Sequence, residues 1–378
     1  MQEIKKRRIL LASVLKPVND TRMAAKLGRS LLLEYDVHVT GFPAAGTTGD
    51  DGLHTHPLPF FKRLTLKRLF VRWKVLRLAL RLRPEVMIIT THELLTPALM
   101  ARLLLRCHVI YDIQENYWRN ILYTSAFPTV LRPFLSVVVR LRERLSLPFI
   151  KHFFLAEAGY ATEINFLPPP RTTVLENKII RPADTSVLSL HRQYPAPHSL
   201  RLLFSGTLAE STGVFTAINL THALHALDNT VHLTVIGYCA LPEQVERLKQ
   251  ACTADYIRLI GVDHLVPHTD IIQAIQTADV GIIAYPPNPA TQNAIPTKLF
   301  EYLGYHLPIL LIDHPVWTQR CAPYNAAVNF SAQEPDAAAI LRKLRTQTFY
   351  TATPNDVYWD TEAKKLSKIL HSILKIRQ

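Results

Sequence analysis

The strongest constraint on the fold is an alternation of short apolar runs with helix-spaced segments, broken once and then restarted. In the first half, residues 8–13, 36–41, 86–91, 108–113 and 153–156 read as strands, and Val174-Leu175 as the end of their sheet. The apolar spacing predicts helices over 19–34, 60–82, 97–106 and 129–150, the last interrupted at Pro148, and a loop over 42–59. A polar, proline-bearing stretch, residues 181–199, reads as a linker. Strands are then expected at 200–205, 232–236, 257–260, 280–284 and 308–312. Helices are expected at 213–227, 242–252, 271–277 and 296–304, with a final amphipathic one over 360–376. Strands that alternate with helices need right-handed crossovers and hence a parallel sheet. The expected architecture is α/β, with two doubly wound Rossmann-like domains, 1–180 and 200–358. Residues 359–378 are expected to pack back towards the first domain. Ligands of such sheets sit at the carboxyl ends of the strands, so a cleft between the domains is the default site.

The composition supports this reading and narrows the partners. Of the 378 residues 48% are hydrophobic and 19% charged, enough for two packed cores. No apolar run approaches the ~18–20 residues of a membrane span. Lys5-Lys6-Arg7-Arg8 and the apolar run behind it imitate a secretion signal, but the run stops at Lys16-Pro17 and reads better as the first buried strand. Cys107, Cys239, Cys252 and Cys321 are far apart and form no CxxC, which suggests neither a zinc site nor a disulfide framework and fits a reducing cytosol.

The net charge of +13 lies entirely in the first half. Residues 1–180 hold 27 Lys/Arg and 14 Asp/Glu, and residues 181–378 hold 16 of each. That half is expected to face something anionic. Residues 60–83 carry nine Lys/Arg and no acid, with Lys67, Lys74 and Arg81 on a polar flank. Leu66, Leu69, Trp73, Leu76 and Leu80 share one helical face, and Leu64, Val71, Val75, Leu78 and Leu82 the opposite one. One stripe packs on the sheet. The other is covered either by a neighbouring helix, residues 132–147, or by an anionic bilayer. Residues 132–151 add five Lys/Arg against one acid, which favours a membrane as the partner of the basic flanks. Nucleic acid is not expected, because no helix-turn-helix, RNA-binding or zinc-finger signature accompanies the charge.

The segment with the most chemistry is Asn293-Ala-Ile-Pro-Thr-Lys-Leu-Phe-Glu-Tyr-Leu303. Pro296 suits a first helical turn, whose N–H groups and positive dipole end bind phosphate. Lys298 adds a full charge for a diphosphate, and Glu301, one turn on, can accept bonds from ribose hydroxyls. On an ordinary helix the same two residues would be a solvated ion pair.

The run Pro296-Thr-Lys-Leu-Phe-Glu-Tyr-Leu303 followed by Pro308-Ile309-Leu310 resembles the nucleotide-sugar segment of GT-B glycosyltransferases of the family 4-like group. Further segments agree in order: Ser205-Gly-Thr-Leu208 through Gly213, Leu233-Thr-Val-Ile-Gly237, Ala278-Asp-Val-Gly281, Tyr111-Asp-Ile-Gln-Glu-Asn116 and Val174-Leu-Glu-Asn177. The resemblance spans nearly the whole chain. It implies a GT-B fold and transfer of a sugar from a nucleoside-diphosphate sugar, with retention, to a sugar or lipid-linked hydroxyl acceptor. No metal or other cofactor is implied. Gly206, Thr207, Gly237, Gly261, Tyr285, Thr297, Lys298 and Glu301 become donor-site candidates. With the basic first half, the expected setting is cell-surface polysaccharide synthesis by a cytoplasmic protein at the inner face of the membrane.

Two departures stand out. The family's first motif glutamate is replaced by Asn293, which can hydrogen-bond a sugar but cannot be an anion. The Arg and Lys that follow the second domain's first strand are also missing, with Thr207 and Thr212 in their places. An inactive GT-B protein that binds a nucleotide or a partner, and a sugar-nucleotide epimerase of the same architecture, therefore stay open.

On the acceptor side, Asp112 and Glu115 end a strand. Either one orients or deprotonates the acceptor hydroxyl, or Asp112 or Asn116 caps the following helix. Asp112, Glu115 and Asn293 are the catalytic candidates. His92 ends another strand and is an acceptor-side candidate. His54 and His56, in the loop after the second strand, either touch the acceptor or are plain surface histidines, and the surface reading is the stronger because such loops are usually solvated.

Overall fold

A computed structural model describes residues 6–44, 52–59, 67–123, 127–184, 188–289 and 292–375. The chain divides into two compact units. The first comprises Met1–Asn177, Asn288–Ala294 and Trp359–Gln378, and the second Lys178–Pro287 and Ile295–Tyr358.

The first unit holds β1 (Arg7–Pro17), α1 (Arg29–Leu31), β2 (Tyr35–Phe42), β3 (His54–Pro57), α2 (Lys67–Leu82), β4 (Val86–Ile89), α3 (Leu95–Leu105), β5 (His108–Ile113), α4 (Tyr117–Tyr123), α5 (Arg132–Ser146), β6 (His152–Leu155), α6 (Tyr160–Glu163) and β7 (Thr172–Val174). The strands form one parallel sheet in the order β3-β2-β1-β4-β5-β6-β7. Because side chains alternate along a strand, β1 feeds two cores. Leu10, Ala12 and Val14 join the core beneath α2 and α3. Ile9 and Leu11 join the core on the other face, where Trp359 and Leu366 pack.

The second unit holds β8 (Leu200–Thr207), α7 (Val214–Leu227), β9 (Val231–Tyr238), α8 (Pro242–Ala251), β10 (Ile257–Val262), α9 (His268–Thr277), β11 (Val280–Ile283), α10 (Thr297–Gly304), β12 (Ile309–Ile312), α11 (Pro315–Cys321), β13 (Ala327–Phe330) and α12 (Ala337–Thr346). Its parallel sheet runs β10-β9-β8-β11-β12-β13, around one continuous core. The last helix, α13 (Asp360–Lys375), belongs to the first unit. Residues 181–199 fall within the second unit, where Arg192 bridges Phe349. Two doubly wound sheets are thus the architecture, as the alternation implies.

Several local expectations change. The stretch 42–59 is not all loop, because His54–Pro57 pairs in parallel with β2. The bonds of this polar edge strand are set by its neighbour, with Leu58 N–H donating to the Gly41 carbonyl and Thr40 Oγ1 to that of His56. The helix expected over 19–34 is a π-helical segment, Thr21–Gly28, capped by Asp20 and continued by α1. Pro296 is the N-cap of α10, and Thr297 its first residue.

The basic helix also differs from its reading. Val71, Val75 and Leu78 are buried as one stripe, but Leu76 on the other face is buried too, and Trp73 packs against the same core. Among the described residues the main helical neighbour of α2 is α3. Residues 60–66, with Leu64 and Leu66, lie outside the described residues. No described helix is long and apolar enough to cross a membrane.

Candidate functional site

In a doubly wound sheet the ligand crevice opens where the strand order reverses. In the second unit this is between β8 and β11. Beside it, at the carboxyl ends of β8, β9 and β10, Gly206, Gly237 and Gly261 lie in register. A Cβ on Gly237 would stand 1.7 Å from the Gly206 carbonyl oxygen, so only glycine lets these chain ends lie so close. Gly206 itself has φ +99°, and a Cβ there would lie 3.9 Å from Lys298 Cε. Thr207 and Thr212 are tied together, Thr212 Oγ1 donating to the Thr207 carbonyl.

Lys298 enters this corner from the first turn of α10. It is 6% exposed, and its Nζ makes no hydrogen bond with any of the described residues. Nζ lies 4.1 Å from the Phe204 ring centroid and 5.2 Å from that of Tyr285. Burial pushes the amine down to about 7, against the opposing pull of Glu301. A buried ammonium with three donors and no acceptor is costly, and an anion that supplies acceptors relieves that cost. The positive end of α10, whose N-cap Pro296 offers no side-chain acceptor, adds to the attraction.

Glu301 does not form the solvated pair with Lys298. Its Oε1 lies 3.0 Å from His268 Nε2, at the start of α9, and its side chain is 13% exposed. Nothing in the sequence links two residues 33 apart, and His268 was not a candidate there. Tyr285 packs edge-on against Trp317, and burial raises its hydroxyl pKa.

In the first unit the order reverses between β1 and β4. Lys16, near the end of β1, has its Nζ 4.0 Å from Glu115 Oε1, and Asn120 Nδ2 donates to Glu115 Oε2 at 3.0 Å. Glu115 is about one-third exposed. His92, just past β4, stacks edge-on with Tyr117 at 4.9 Å and lies 3.5 Å from Glu93. Asp112 is differently placed. It is fully buried, and Arg22 Nε and Nη2 donate to its two oxygens at 3.0 and 2.6 Å. Gln114 donates a third bond to it. Asn116, not Asp112, caps α4, accepting from Arg119 N–H at 3.4 Å. Arg22 is an unforeseen partner: an arginine within helix-spaced apolar residues was the only hint of it.

Asn293 lies in the first unit. Its Nδ2 donates to Glu163 Oε1 at 2.9 Å, and Glu163 also pairs with Arg119 and accepts from Asn116. His54 is exposed at the surface, with its Nε2 3.2 Å from Asp36, while His56 is half-buried, its Nε2 3.0 Å from His38 Nδ1. Of the basic flank, Lys74 is exposed and Arg81 lies in the last turn of α2; the side chain of Lys67 is outside the described set. Among the described residues no group of three His, Cys, Asp or Glu is placed to hold a metal ion.

No protein-family model matches the sequence, and no curated protein matches it. Solved structures do match the fold. Sucrose-phosphate synthase from Thermosynechococcus elongatus superposes with a TM-score of 0.69 at 12% identity, covering 98% of this chain and 100% of that one. Anabaena HepE, solved in complex with UDP-glucose, gives 0.66 at 14% identity over 97% and 100%. WaaG, a glycosyltransferase involved in lipopolysaccharide biosynthesis, gives 0.61 at 14% identity over 96% and 95%. The chain has the GT-B fold of these glycosyltransferases.

Proposed function

We propose that this chain is a glycosyltransferase that binds a nucleoside-diphosphate sugar in its second unit and transfers the sugar to a hydroxyl acceptor. The observation that carries the reading is Lys298, a buried amine without a hydrogen-bond partner among the described residues, set beside Gly206 at the reversal point of the sheet. In this reading Lys298 and the start of α10, with Thr297, hold the diphosphate and stabilise the departing charge without a metal. Glu301, steadied by His268, takes the ribose hydroxyls. Gly237, Gly261 and Tyr285 border the base and sugar. HepE, of the same fold, was solved with UDP-glucose, which makes UDP the first nucleotide to try.

On the acceptor side, Glu115 is the group to orient or deprotonate the hydroxyl, with Lys16 beside it, and His92 is a second acceptor-side candidate. Asp112 is assigned to holding the strand end through Arg22, and Asn293 to neutral hydrogen bonding. We further propose a lipid-linked or cell-surface acceptor and a peripheral position on the anionic inner face of the membrane, because the whole positive excess lies in the first half. Retention is the outcome implied by the family resemblance, and the anomer of the product reads it directly.

A second reading, nucleotide binding without transfer, draws on the neutral Asn293 and on the full engagement of Asp112. The test is in two parts. UDP should bind at least about tenfold more weakly to Lys298→Ala, while uridine binds both proteins alike, because a charge-assisted bond is lost. Slow release of free sugar and UDP from UDP-glucose or another UDP-sugar then separates transferase from inactive binder. Equal loss for UDP and uridine would count against the phosphate role of Lys298.

A further inference from the structure

Helix α5 buries a mixed face, Val139 together with three polar residues, and exposes a more apolar one. Ser136, Glu143 and Ser146 are on its buried face, where Tyr111 donates to Glu143 Oε1 at 3.3 Å. Its outer face is apolar: Phe134, Val137, Leu141 and Leu145 are each more than half exposed, and the stripe continues at Val130 before the helix and Phe149 after it. At 100° per residue these positions fall within about 120° of arc, an amphipathic stripe facing away from the core. Arg142 and Arg144 flank it on opposite sides. The neighbouring α3 exposes Leu103 and Leu104 beside Arg102 and Arg106.

We infer that α5, with the exposed end of α3, is the element that lies in an anionic lipid surface, its apolar stripe among the acyl chains and its arginines at the headgroups. This rests on the membrane reading above but moves the contact away from α2, where Leu76 is buried and Trp73 packs against the core. Charge selects the occupant. Helices α2, α3 and α5 carry six, one and four Lys/Arg, and their single acid, Glu143, is buried. A second copy seated on this face would set arginine against arginine with no acid to pair, whereas an anionic bilayer accepts both the charge and the exposed apolar area.

The experiment is co-sedimentation of the full chain with vesicles of phosphatidylcholine alone or mixed with phosphatidylglycerol. The wild type should bind only the mixed vesicles, less so as salt is raised. The variant Phe134→Ser/Leu141→Ser/Leu145→Ser should bind them at least about tenfold more weakly, because the inserted apolar area is removed. It should keep the thermal stabilisation that UDP gives the wild type. Should this variant misfold, Phe134→Trp serves instead: brominated lipids in mixed vesicles should quench its added fluorescence. If the triple variant binds like the wild type while Lys67→Glu/Lys74→Glu/Arg81→Glu does not, α5 is the wrong element although the membrane reading stands. If the wild type ignores mixed vesicles, both readings fall, and UDP stabilisation still judges the donor site separately. A dimer in sedimentation velocity that the triple variant converts to monomer would make the face an interface between copies and overturn the inference.

Discussion

Replacing Lys298 by Met should stabilise the nucleotide-free protein while weakening its hold on a nucleoside diphosphate. The side chain is buried, and its amine ionises at about 7 instead of 10.5. The folded value lies below the unfolded one, so the folded state binds fewer protons between the two. The resulting penalty is complete below pH 7 and fades as pH rises towards 10.5. At about 1.36 kcal/mol per pH unit, the penalty is roughly 4 kcal/mol at pH 7 and roughly 2 kcal/mol at pH 9. Lys298→Met should therefore gain up to roughly 4 kcal/mol at pH 7 and about half of that at pH 9. Urea unfolding of both proteins at both pH values measures this. UDP titrations should show the opposite ranking, with the variant at least about tenfold weaker. A variant less stable than wild type at pH 7, or a gain that does not shrink with pH, would refute the argument that the buried charge is the source of the strain.

The same amine predicts proton uptake on binding: above pH 7, UDP affinity of the wild type should fall by up to about tenfold per pH unit, while uridine affinity stays flat. Isothermal titration in buffers of different ionisation enthalpy detects the proton directly, and flat UDP affinity from pH 7 to 9 would count against it. Glu301→Gln should lower affinity for ribose-containing nucleotides with stability changed by no more than about 0.5 kcal/mol. His268→Ala should do the same more weakly, and unchanged UDP binding in both removes this pair from the site. Asp112→Asn should lower stability by about 3–5 kcal/mol, because it leaves the Arg22 guanidinium buried without its counter-charge; a variant as stable as wild type but inactive would return Asp112 to the catalytic group.

Sequence alone settles what depends on local periodicity. Apolar runs such as 280–284 and 308–312 are buried on both faces of a parallel sheet, so they are continuous and easy to see. The donor corner is equally legible where its parts are close in the chain, since Pro296, Lys298 and Glu301 share one turn and a half of α10. Polar edge strand β3 is not legible, because its pairing comes from β2 and not from any alternation of its own. Partners far apart in the chain are hidden for the same reason: only the sheet brings Arg22 to Asp112, and only the crossover before β11 sets His268 beside Glu301. The orientation of α5 is the plainest case. Its spacing declares two faces, one apolar and one carrying Ser136, Glu143 and Ser146. Periodicity cannot say which one packs, and it is the Tyr111 hydroxyl on β5, a partner for Glu143, that accompanies the polar face inward and leaves Phe134, Leu141 and Leu145 on the outside.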